Sequence, residues 1–167
     1  AKIEHLNESL EGIMPYKLAI VPMEQLELLE KNARFMPTEM FKRLTENIKE
    51  DGGLASVPFC YKENTRYRVL SGNHRIEAAR AAGVKQALIL YTDKKLSRQR
   101  QVSIQLSHNA LAGQDDPIIL KELWEEIDDI GLKMYAGLDD EQLNELAKVD
   151  LQGIAEFKLD FRLISFL

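Results

Sequence analysis

The chain has 167 residues, 45% of them hydrophobic, with 22 Lys and Arg against 27 Asp and Glu and a net charge of −5. That length suits one domain, or one domain with a small appendage, and that apolar content builds a core without staples. An acidic whole-chain balance argues against nonspecific nucleic-acid binding as the dominant activity, and a local basic patch stays open. The single Cys60 forms no internal disulfide, and no Cys-x-x-Cys pair offers zinc spacing. A reduced, cytoplasmic setting follows as the expectation. No apolar run approaches membrane-spanning length, and Ala1 opens no signal-peptide pattern. The missing initiator Met leads us to expect a processed or trimmed start, and the apolar end Phe161-Arg162-Leu163-Ile164-Ser165-Phe166-Leu167 a gene product that continues past Leu167.

In chain order, "LAIVPM" (18–23) reads as a strand ending at Pro22. "EQLELLEKNAR" follows, with Leu26, Leu28 and Leu29 apolar and Arg34 closing it. Pro37-Thr38 starts a helix with Thr38 as its cap; Phe41, Leu44 and Ile48 share one face, and Asp51-Gly52-Gly53 stops it. "SVPFCY" (56–61) and "RYRVL" (66–70) are strands joined by "KENT", which makes a hairpin. A helix runs from Asn73 to Ala82 and stops at Gly83, and "QALILY" (86–91) is a third strand. Residues 93–108 alternate like a strand at Val102, Ile104 and Leu106, yet their length and helix-forming composition favour a helix capped by Asp93. The break falls at "HNALAGQDDP" (108–117). Asp116 then caps a helix with Pro117 in its first position, and Leu120, Leu123, Trp124 and Ile127 form an apolar stripe running to Gly131. A shorter helix follows Asp139, with Leu143 and Leu146 inward. Mixed strands and helices followed by helices give an α+β fold: a small mixed sheet with packed helices, then a helical C-terminal part. The expected division is 1–117 and 118–167.

The stretch "LSGNHRIEAARAAG" (70–83) carries the chemistry. A strand that ends in Ser71-Gly72 and turns into a helix exposes free backbone N–H groups at the positive end of the helix dipole. Gly72 lets a ligand approach the backbone, Arg75 offers a forked donor suited to two phosphate oxygens, and His74 can donate from one ring nitrogen. An ordinary tight turn, with Asn73 as N-cap and Arg75 in water, is the competing reading. Lys94, Lys95, Arg98 and Arg100 form a basic cluster that reads first as a solvated helix face and second as a phosphate contact. Asp115-Asp116 reads as a helix cap rather than a metal pair, Trp124 as core, and Asp139-Asp140-Glu141 as first-turn helix charge. There is no hydrolase triad, zinc spacing or Walker-type loop.

The order of motifs resembles the ParB/sulfiredoxin-like domain. Gly72-Asn73-His74-Arg75-Ile76-Glu77-Ala78-Ala79 matches its Gly-x-x-Arg-x-x-Ala-Ala signature at a strand-to-helix turn. "VPMEQL" (21–26), Asn32-Ala33-Arg34, Ile48 to Gly53 followed by "LASVPFCY", and "HNALAGQDDP" agree with its other elements in order, over residues 18–117. The resemblance implies a nucleotide ligand, typically CTP with Mg²⁺, held by the Arg-containing turn and the later Asn box. By matching position it implies Arg34, Gly53, Ser71, Gly72, Asn73, His74, Arg75 and Asn109 as ligand contacts. It implies DNA as partner, through regions outside this chain, in partition or phage and mobile-element DNA metabolism, and it leaves a homodimer open. Two departures stand out. Asn73 occupies the place of the sulfiredoxin Cys, which removes the nucleophile of sulfinic-acid repair. His108, a weak Mg²⁺ ligand, replaces the Glu that precedes the box Asn, and Ala112 replaces its Arg, which counts against metal-assisted hydrolysis. A nuclease-like or phosphoryl-transfer enzyme, with Glu77 as the nearest carboxylate, is one alternative; an interaction scaffold with an empty cradle is the other.

Overall fold

The computed structural model describes residues 1–30, 36–110 and 116–152, with the backbone alone at 109–110. Two compact units divide the chain, residues 1–112 and 113–167.

The first unit is built on five strands: β1 (Lys17–Pro22), β2 (Leu26–Glu27), β3 (Phe59–Glu63), β4 (Arg66–Ser71) and β5 (Gln86–Thr92). Their order across the sheet is β1-β5-β3-β4-β2. β1 and β5 pair antiparallel, as do β3 and β4, whereas β3–β5 and β2–β4 are parallel. The sheet is therefore mixed, as the α+β reading expects. Residues alternating along each strand fall into different apolar clusters, as a two-faced sheet requires. Cys60, Tyr67, Val69, Ala87 and Ile89 join one cluster with Val21, Ile48, Ile76, Ala78 and Ala79. Phe59, Tyr61 and Leu70 join the other, with Leu90, Leu96 and Ile104 against them.

Helix α1 (Lys2–Leu10), which the sequence reading left unassigned, fixes itself to the edge strand through one side chain. The Asn7 amide donates to the Leu18 carbonyl at 2.9 Å and accepts from the Leu18 N–H at 2.8 Å. Both outward backbone groups of that residue are thereby satisfied, which blunts an edge open to pairing. Helix α2 (Thr38–Asp51) turns Ile48 inward, with Phe41 and Leu44 packed beside it. Its N-cap is Pro37, and Thr38 is its first helical residue, one place later than the expected cap. Gly52 ends it at φ 76°. Helix α3 (Asn73–Ala81) buries Ile76, Ala78 and Ala79 completely. Helix α4 (Arg98–Ala110) confirms helix over strand for this segment, yet it starts later than expected. Ser97 accepts from the Arg100 N–H at 3.2 Å, while Asp93 pairs with Lys17 at 2.6 Å across the sheet.

The expected hairpin is present with shifted bounds. β3 begins at Phe59 rather than Ser56 and runs on to Glu63, which leaves a two-residue turn where Asn64 takes φ 57°. Asn tolerates that left-handed conformation better than most residues. β2 was not expected as a strand. It pairs Leu26 with Tyr67 and Glu27 with Arg68, and Arg80 of α3 donates to the carbonyls of Met23 and Leu26.

The second unit is helical, as the C-terminal part was read. Asp116 caps α5 (Pro117–Glu125) by accepting from Ile118 N–H at 2.9 Å and Ile119 N–H at 3.2 Å, with Pro117 in the first turn. The stripe does not continue to Gly131 as one helix: α5 stops at Glu125, and Asp129 caps a separate α6 (Ile130–Ala136). Asp139 and Gln142 form a reciprocal capping box on α7 (Asp140–Ala147). Leu146 is buried on α7. Trp124, expected as core, is only half-buried, with the Lys133 ammonium 5.3 Å from its ring centre.

Candidate functional site

The Gly72 turn is set by its neighbours on β3 and β4. Ser71 pairs with Phe59 at the end of the hairpin, with a register shift between Phe59 and Cys60. Gly72 then takes φ 100° and ψ 20° as the N-cap of α3. Only glycine enters that region without strain. Space adds a second constraint, because a Cβ on Gly72 would stand 3.3 Å from the Pro58 Cβ. A tight, side-chain-free turn is therefore imposed by both backbone and packing.

Asn73 does not cap its helix, contrary to the tight-turn reading. Its carbonyl oxygen accepts from the Leu29 N–H at 3.0 Å and its amide nitrogen donates to the Val69 carbonyl at 3.1 Å. The residue acts as a brace between β4 and the segment after β2. The first helical bond runs from Ile76 N–H to the Gly72 carbonyl at 3.0 Å, and no side chain caps α3. The N–H groups of Asn73, His74 and Arg75 thus precede the helical ladder with no described acceptor. By contrast, Asp116, Asp129 and Asp139 cap the three helices of the second unit. An uncapped helix start presents orphan donors and partial positive charge, the chemistry that holds an anion.

Around this turn, Ser71 and His74 are half-buried and Arg75 is exposed. Arg75 forms no ion pair with a described residue. Glu77 is exposed between the buried Ile76 and Ala78. His108, on the last turns of α4, stacks its ring on Phe59 with centroids 5.9 Å apart and planes 12° apart. Tyr16 lies on the same Phe59 at 4.8 Å. His108 thereby reaches the strand that pairs with Ser71. Gly53 belongs to the α2 cap, its N–H bonded to the Ile48 carbonyl at 3.1 Å, and no described contact joins it to the turn. Arg34 and Asp115 lie outside the described residues, and Asn109 is described by backbone alone on α4. Among the described residues no group of three His, Cys, Asp or Glu side chains is arranged to hold a metal ion. Pro58 and the Phe59 stack were not picked out in the sequence; their roles depend on pairing across the hairpin, which leaves no local signature.

The ParB N-terminal domain family matches residues 8–110, well over half of the chain. The chain belongs to that family. Its fold is similar to that of the C-terminally truncated chromosome-partitioning protein ParB from Caulobacter crescentus complexed with CTP-gamma-S, at 17% identity and a TM-score of 0.63, over 77% of this chain and 76% of that one. Weaker likeness extends to the same ParB complexed to the centromeric parS site (14% identity, TM-score 0.46, 78% and 65% covered). Sulfiredoxin from Arabidopsis thaliana is similar at 21% identity and a TM-score of 0.40, over 53% of this chain and 96% of that one. A search of curated proteins returns no match.

Proposed function

We propose that this ParB N-terminal domain binds a nucleoside triphosphate of the CTP kind at the Gly72–Arg75 turn and acts with DNA in partition. The carrying observation is the uncapped start of α3. Gly72 clears the approach, Asn73 is tied away to Leu29 and Val69, and three N–H donors stay open beside Arg75. Family membership and the CTP-gamma-S carried by the similarly folded ParB support the same reading. In it the backbone donors hold one phosphate group, and the Arg75 guanidinium spans two oxygens of the next. Ser71, His74 and the box residue Asn109 complete the shell, with Arg34 and Gly53 carried by the family pattern. Where the ligand arrives with Mg²⁺, the metal would neutralise phosphate charge. DNA is the partner in this reading, in a cytoplasmic setting.

The enzyme reading gains no support from Glu77, which stands on the solvent side of α3. Calorimetric titration of CTP, ATP, GTP and ADP, each with and without Mg²⁺, tests the proposal in wild type and Arg75→Ala. Saturable binding of a triphosphate that weakens at least tenfold in the variant supports it. Binding that ignores Arg75, or no binding of any nucleotide, overturns it.

A further inference from the structure

A second concave site lies at the β2 edge of the sheet, and it meets the Gly72 turn at Leu29, whose N–H donates to Asn73. It is a polar groove of about 950 Å³ where Glu24 and the segment Leu26–Glu30 meet Arg66, Arg68, Arg80 and Arg98. These guanidinium groups are not equivalent. Arg80 is committed to the carbonyls of Met23 and Leu26. Arg68 is held by Gln101 at 3.0 Å and by Glu63 at 3.1 Å, and Gln101 is itself buried. Arg66 reaches Glu27 only at 3.7 Å and is largely exposed. Arg98 has no ion pair with a described residue.

Arg98 also opens α4, and this continues the groove into a longer basic strip. Lys94 and Lys95 precede the helix, Arg98 and Arg100 stand in its first turn, and all four are exposed. No acidic residue occupies that first turn. Cations at the positive end of a helix dipole are an unfavourable arrangement when nothing answers them. Glu24, Glu27 and Glu30 offset part of the groove's charge, but none of them pairs with the four cations of the strip. Charge is also divided unevenly along the chain. Residues 1–112 hold 17 of the 22 Lys and Arg and 13 of the 27 Asp and Glu, so the first unit is basic within an acidic protein. The acidic balance that counted against nucleic-acid binding comes from residues 113–167.

We infer that the strip Lys94–Lys95–Arg98–Arg100, running into the groove at Arg66 and Arg68, is a binding site for the phosphodiester backbone of a nucleic acid. Backbone contact needs spaced cations with no base-reading geometry, and Arg suits paired phosphate oxygens. Free cations outside the groove admit a strand lying along α4, with Arg66 at its inner end; Arg68, engaged by Gln101, Glu63 and, at 3.9 Å, Glu27, adds positive charge there with fewer open donors. The inference rests on the partition reading only for its choice of polyanion. The groove and the Gly72 turn use different residues.

The test is fluorescence anisotropy of a labelled 30-base-pair duplex of arbitrary sequence with the full chain, at several salt concentrations. Arg66→Glu/Arg98→Glu is the main variant, and Lys94→Glu/Lys95→Glu, outside the groove, is a second that leaves its packing untouched. We expect at least tenfold weaker binding in each, with the slope of log affinity against log salt falling by about two in Arg66→Ala/Arg98→Ala. CTP titration of the same variants keeps the two proposals apart, since their nucleotide binding is expected to match wild type. Duplex binding equal to wild type in both variants overturns the inference, as does no duplex binding at low salt. Binding of a poly-glutamate chain in place of the duplex also overturns it, and would assign the strip to an acidic protein.

Discussion

Gly72→Ala is the perturbation whose cost can be worked out most fully. Placing an L-residue at φ 100° costs roughly 1–2 kcal/mol in backbone strain. The new Cβ would also meet the Pro58 side chain at 3.3 Å, tighter than ordinary contact, and such overpacking adds about 1 kcal/mol. Reduced freedom of the unfolded chain gives back about 0.5 kcal/mol. The expected net loss is about 2 kcal/mol, or about 8 °C in midpoint for a unit of this size. Gly83→Ala supplies the control. Gly83 has φ 83° with nothing within 4 Å of its Cβ position, so strain acts alone and about 1 kcal/mol is expected. Urea unfolding followed by tyrosine near-ultraviolet circular dichroism is the assay, because four of the five tyrosines, Tyr16, Tyr61, Tyr67 and Tyr91, lie in the first unit, with Tyr135 and Trp124 in the second. Equal losses in the two variants would refute the role given to Pro58. A loss below about 0.5 kcal/mol in Gly72→Ala would refute the strain argument as well.

Other outcomes follow from single contacts. Asn73→Ala leaves the Leu29 N–H and the Val69 carbonyl without their partners and should cost about 1–3 kcal/mol, read in the same urea assay. Lys17 beside Asp93 holds its carboxyl below the ordinary value. That pair adds stability above the unfolded pKa near 4 and loses it as pH falls through the lower folded value; both partners are about half exposed, so the gain stays under about 1 kcal/mol. Lys17→Met should raise the Asp93 titration midpoint in a carboxyl NMR titration, and an unchanged midpoint would contradict the pairing. Burial pushes the Cys60 thiol up to about 12, so a disulfide-exchange reagent at pH 8 should label it only after unfolding; rapid labelling of the native protein would show the core more open than described.

Much of the fold was legible because its signals are local. The turn-forming "KENT" between the runs "SVPFCY" and "RYRVL" marks the β3–β4 hairpin, and Asp116-Pro117 and Asp139 announce their helices through caps that need only neighbours in sequence. The features that escaped are those fixed from a distance. β2 is two residues long, exists by pairing with Tyr67 and Arg68, and is secured by Arg80, more than fifty residues away. Asp93 looks like a cap until Lys17 draws it across the sheet, and Ser97 then takes that role. Gly131 reads as a helix stop, yet it lies inside α6 because Asp129 starts a new helix two residues earlier. At the candidate site the order of motifs located the turn and the uncapped donors follow from it, but the inward commitment of Asn73 and the stacking of His108 on Phe59 do not.

Open donors at the start of α3 that hold a triphosphate must register its arrival. Amide chemical-shift mapping of the ¹⁵N-labelled chain through a CTP titration tests it most directly. The largest, saturable shifts are expected at the N–H groups of Asn73, His74 and Arg75, with at least tenfold more CTP needed to reach them in Arg75→Ala. Saturation of binding with those three amides unmoved, or shifts centred on another part of the sheet, would contradict it.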